Sequence, residues 1–117
     1  MADRRPLTVQ FDTRGPYDLI RVLDDDPGSR GDLSELIEIV RQSVDSGKRR
    51  VAVVFTKSAL LYTRSISALV RCYALLDDAR GSFSIVAPNP HLLNSIRVAG
   101  IDSIIRSYAA EEDLPAA

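Results

Sequence analysis

The sequence predicts one α/β domain. Its sheet has four to five strands, mostly parallel, opened by an antiparallel hairpin and accompanied by three to four helices. Three observations predict this. The chain has 117 residues, of which 45% are hydrophobic and 26% charged, a balance that supports one globular core. Short β-branched runs alternate with stretches of helical periodicity, the pattern of strand–helix–strand crossovers. The first two strand-like runs are separated only by Arg14-Gly15-Pro16, a short break that favours an antiparallel hairpin. The domain covers residues 1–117, with its core at about 7–114.

The elements follow in order. Thr8 to Thr13 alternates apolar Val9 and Phe11 with polar neighbours, the period-2 signature of a strand with one wet face. Tyr17 to Leu23 reads as its partner strand. A polar loop from Asp24 to Gly31 follows, and Asp32 opens a helix with Glu35 three residues on, as in a capping box. Leu33, Leu36, Ile37, Val40 and Val44 form its apolar stripe, with Glu35, Glu38, Arg41, Gln42 and Asp45 on the wet side. Gly47 supplies the left-handed residue that ends it.

Val51 to Phe55 is a continuous apolar run, expected to be a central strand buried on both faces. A second helix is expected from about Thr63 to Asp78, with Ile66, Leu69, Val70, Tyr73 and Leu76 inward and Gly81 as its stop. Ser82 to Ala87 is the next strand. Asn89 and Pro90 are an N-cap and a first helical residue, opening a short helix over His91 to Ala99 that Gly100 closes. Ile104-Ile105 is expected to give the last strand, and Tyr108 to Leu114 a short terminal helix.

Several functions are disfavoured by composition. With 15 basic and 16 acidic residues the formal net charge is −1, unlike a dedicated nucleic-acid binder. Lys48-Arg49-Arg50 reads as cations at a helix C-terminus, running into a solvated turn. No apolar run reaches the roughly 20 residues of a membrane span, and the polar start Met1-Ala2-Asp3-Arg4-Arg5-Pro6 lacks the apolar region of a signal peptide. A cytoplasmic location is the expectation. One cysteine (Cys72) and one histidine (His91) build neither a zinc site nor a disulfide. Cys72 falls inside the second helix as a buried thiol, and His91 in a helix first turn as a surface or capping residue. No phosphate-binding glycine motif is present, so no cofactor is expected, and no catalytic residue is assigned. Glu111-Glu112-Asp113 reads as a charged tail.

What remains is the junction after the central strand, where Tyr62-Thr63-Arg64-Ser65 begins a helix. Loops beyond the carboxyl ends of parallel strands commonly carry function. Hydroxyls at a helix start are explained by capping, but capping does not explain Tyr62 and Arg64, residue types that often anchor protein interfaces. Asp24, Asp25 and Asp26 should lie at the same end of the sheet, as a solvated turn or an acidic patch facing a partner.

The element order and this junction resemble the STAS domain, the bacterial anti-sigma factor antagonist family. Its signature, approximately apolar-Asp-Ser-Ser-Gly-Leu-Gly, is matched by Leu61-Tyr62-Thr63-Arg64-Ser65-Ile66-Ser67. Arg80-Gly81-Ser82-Phe83-Ser84-Ile85-Val86 resembles the family's glycine-then-strand step, and Asn94 to Ile101 its helix end. The resemblance implies a non-catalytic regulatory module, gripping an anti-sigma factor or histidine-kinase-like ATPase through residues 62–69, with Asp24, Asp25 and Asp26 contributing. In the family a partner kinase phosphorylates the second hydroxyl residue of the signature, and that position is Arg64 here. The family's aspartate falls on Tyr62 and its glycine on Ser65, while Thr63 keeps the first hydroxyl. Phosphate control is therefore expected to be absent, or moved to Thr63 or Ser65. A second reading is an accessory STAS subunit of a transport or signalling complex. A third, a hydrolase built on the acidic loop, has no base or metal cluster to support it.

Overall fold

The computed structural model describes residues 8–23, 34–57 and 63–115, with Thr63 and Arg64 described by backbone alone. A hairpin of β1 (Val9–Arg14) and β2 (Tyr17–Val22) opens the domain. Then come α1 (Ser34–Asp45), β3 (Arg50–Val54), α2 (Thr63–Asp78), β4 (Ser82–Val86), α3 (Pro90–Val98) and β5 (Arg106–Tyr108). Single 3-10 turns cover Ile101–Ser103 and Glu111–Asp113.

The hairpin closes as its spacing requires, with Arg14 opposite Tyr17 and Gly15 at φ 58°. The other neighbours pair in parallel, and the sheet runs β1-β2-β3-β4-β5, in chain order. Crossovers of one hand that step always in the same direction put every helix on the same face of the sheet. The packing shows this. Ile20, Val22, Val51, Val53, Phe83 and Ile85 form one core cluster with Leu36 and Val40 of α1, Leu69, Cys72 and Leu76 of α2, and Leu92 and Ile96 of α3. The opposite face holds a smaller cluster of Tyr17, Leu19, Ala52, Val54 and Val86, covered by Leu114 and Tyr108 from the C-terminal segment.

Local signals match their elements in most places. The five predicted polar positions of α1 are all exposed, and Gly47 ends that helix at φ 101°. The Asn89 side chain accepts from the His91 N–H at 2.9 Å and Pro90 is the first helical residue. The proposed cap Asp32, with Leu33 and the loop from Asp24, lies outside the described residues.

Three expectations need correction. The last strand is Arg106–Tyr108, not Ile104-Ile105. The two isoleucines belong to a turn in which the Ile105 N–H reaches the Ile101 carbonyl at 2.8 Å, burying Ile105 fully and leaving Ile104 exposed. The terminal helix shrinks to the 3-10 turn Glu111–Asp113. At the end of α2 the left-handed residue is Arg80, at φ 62°, and not Gly81. Gly81 serves close approach instead: a Cβ there would overlap the backbone carbonyl of Arg49, beside the 2.7 Å bond from the Ser82 N–H to that same oxygen.

Candidate functional site

The central strand β3 is buried along Val51–Val54, and Phe55 continues it by donating its N–H to the Val86 carbonyl at 2.9 Å. At this carboxyl end of the sheet α2 begins at Thr63, the expected residue. Thr63 and Arg64 are the first two residues of the helix. Its first turn has no acidic residue, and its second residue is a basic one by sequence. Tyr62, Asp24, Asp25 and Asp26 lie outside the described residues.

Ser65 is wholly buried, and its Oγ has no hydrogen-bond partner among the described residues. It heads the stripe Ser65, Leu69, Cys72 and Leu76, at the spacing of one helix face. Over 65–69 the helix offers Ser67 outward and Ile66 in part, with Ala68 and Leu69 inside. The reading from sequence did not single out Ser67. The burial of Ser65 was available from that i, i+4, i+7, i+11 spacing.

The other reactive side chains stand apart from this junction. Cys72 is fully buried, and burial pushes its thiol up to about 12. A thiol so raised is not a nucleophile at neutral pH. His91 is exposed in the first turn of α3. Among the described residues no three His, Cys, Asp or Glu side chains converge to hold a metal. No helix there is long and apolar enough to cross a membrane.

Two charged arrangements went unread in the sequence. The Arg49 guanidinium does meet the end of α1, donating to the Val44 carbonyl at 3.1 Å and to that of Lys48 at 3.0 Å. Arg49 and Arg50 also line a concavity of about 370 Å³ on the sheet face opposite the helices, together with Arg80 and Arg106. The legible signal was positional, since a basic residue stands at or just before the start of each of three successive parallel strands. The supposed charged tail is a clamp: Glu111 takes a bidentate pair from Arg21 at 2.9 and 3.0 Å, and Arg21 also reaches Asp12 at 2.7 Å.

No protein-family model matches the chain, and no curated protein does. Solved structures do match. The NMR structure of TM1081 superposes with a TM-score of 0.68 at 11% identity, covering 97% of this chain and 90% of that one. The anti-sigma factor antagonist SpoIIAA in its unphosphorylated form gives 0.65 at 12% identity, covering 91% of each chain. Phosphorylated SpoIIAA, a Bacillus cell-fate determinant, gives 0.58 at 13% identity, covering 91% of this chain and 95% of that one. The chain has a STAS-like fold.

Proposed function

We propose that this chain is a non-catalytic, cytoplasmic regulatory module that binds a kinase of the anti-sigma type through the loop and helix start at residues 62–69. The observation that carries the reading is the shared fold with an anti-sigma factor antagonist over nearly the whole chain. It is supported by the start of α2 at Thr63, where the sequence aligns with the family signature. The acidic run Asp24, Asp25 and Asp26 is assigned to the same surface.

Arg64 stands where the family carries its phosphate acceptor. A phosphate would bring roughly −1.5 to −2 charge to this helix N-terminus, whereas Arg64 brings a permanent positive charge. The proposed module therefore binds without the usual serine switch. Control by phosphate, if present, falls to Thr63, because Ser65 is buried and its modification would require the first turn of α2 to open.

Binding to the cognate kinase is the test. Tyr62→Ala and Arg64→Glu are each expected to weaken it about tenfold or more, with melting temperature nearly unchanged. Unchanged affinity in both variants would sink the proposed surface. Incubation with that kinase and ATP should leave the chain unmodified; phosphate on Thr63 or Ser65 refutes the switchless version.

A further inference from the structure

The face of the sheet that carries no helix holds a second feature, at the end opposite the start of α2. The register puts Arg50 beside Ser82 and Ser84 beside Arg106, and strand alternation turns all four side chains to this open face. Arg49 and Arg80 join them from the turns that lead into β3 and β4. The result is a concavity of about 370 Å³ lined by four arginines, with no carboxylate among its described lining residues. Its lining includes the small residues Gly81, Ser82 and Ser84. Tyr17, Tyr108 and Pro115 complete the lining.

Two details argue against an accidental gathering of surface charge. Arg50, Arg80 and Arg106 make no ion pair with any described residue, although the chain has 16 acidic residues to offer. Arg80 is also held at φ 62°, a backbone region costly for a residue with a Cβ, at a helix end where glycine is the usual choice. Strain of that kind persists where the surrounding structure enforces it, and it gathers at functional sites.

We infer that this concavity binds a small phosphate-bearing anion with two or more negative charges. The guanidinium groups of Arg50, Arg80 and Arg106, none in an ion pair with a described residue, suit the tetrahedral oxygens of phosphate groups through charge-assisted bonds, while that of Arg49 is engaged by the carbonyls at the end of α1. The volume lies within the range of small-ligand sites. A chain of net charge −1, with four of its thirteen arginines lining one hollow, suits a compact anion better than the long backbone of a nucleic acid.

The experiment is a titration of the full chain with inorganic pyrophosphate, read by backbone amide shifts and calorimetry, with sodium chloride at matched ionic strength. Saturable binding is expected at or below about 1 mM, with shifts at Arg50, Gly81, Ser82 and Arg106. Arg50→Ala and Arg106→Ala should each weaken it about tenfold, and Arg97→Ala, outside the concavity, should leave it unchanged. Arg80→Gly separates site from scaffold: it should raise the melting temperature by about 4 °C while weakening pyrophosphate binding. Absence of saturation, equal shifts with chloride, or undiminished binding in the folded arginine variants overturns the inference. Since α2 begins at the other end of the sheet, with Arg64 its second residue, Arg64→Glu should bind pyrophosphate normally, whatever becomes of the kinase surface.

Discussion

At residue scale, Ser65 carries the most information. A buried hydroxyl without a partner gives up its bonds to water and gains none in return, at a cost of about 1–3 kcal/mol. Ser65→Ala removes that cost, improves helix propensity, and leaves only a small void. It should therefore stabilise the domain by about 1 kcal/mol in denaturant unfolding. Destabilisation would mean that the hydroxyl is satisfied by a partner in solution. The same residue shows how far the sequence could be read. Thr63 was recognisable as the helix start because hydroxyls cap helices. Ser65 read as one more hydroxyl there, since polarity suggested a surface that its position on the Leu69–Cys72–Leu76 stripe contradicts.

At element scale, the C-terminal segment is the informative case. It closes the open face by two means: Leu114 packs with Tyr17 and Leu19, and Glu111 grips Arg21. Hydrogen bonding from Arg21 holds both Glu111 and Asp12 below their ordinary carboxyl values. A carboxyl depressed in the folded state contributes stability above its unfolded value, and that contribution is lost as the pH falls through the folded value. The clamp should thus be intact at neutral pH and weaken below about pH 4. Because the pair is partly solvated, Glu111→Gln is expected to cost about 0.5–1 kcal/mol at pH 7. Thermal melts should show the gap between variant and parent closing on acidification; a gap that stays constant to low pH would assign the loss to packing. None of this was legible in Glu111-Glu112-Asp113, because the arginine that answers it lies 90 residues away. The displaced last strand has a similar cause. Two adjacent isoleucines have strand propensity, but burial of Ile101 and Ile105 one turn apart prevails over it.

At the scale of the whole molecule, the order of elements was legible as far as α3, because it rests on periodicity and turn residues that act locally. The order of strands in the sheet was not, and it decides how the surface is divided. A sheet whose parallel strands follow chain order carries all its helices on one side, so one face is a large sealed core and the other a shallow one. Cys72 lies in the sealed half, fully buried between α2 and the sheet. It is the chain's single cysteine, and its raised thiol should resist alkylation until the helical layer separates from the sheet. In a two-state domain of this size that separation is global unfolding. Labelling with an aromatic disulfide reagent should therefore follow the same denaturant midpoint as loss of circular dichroism, with negligible reaction in native buffer. Labelling at a lower midpoint would show that α2, and with it the proposed kinase surface, opens while the rest of the sheet remains folded.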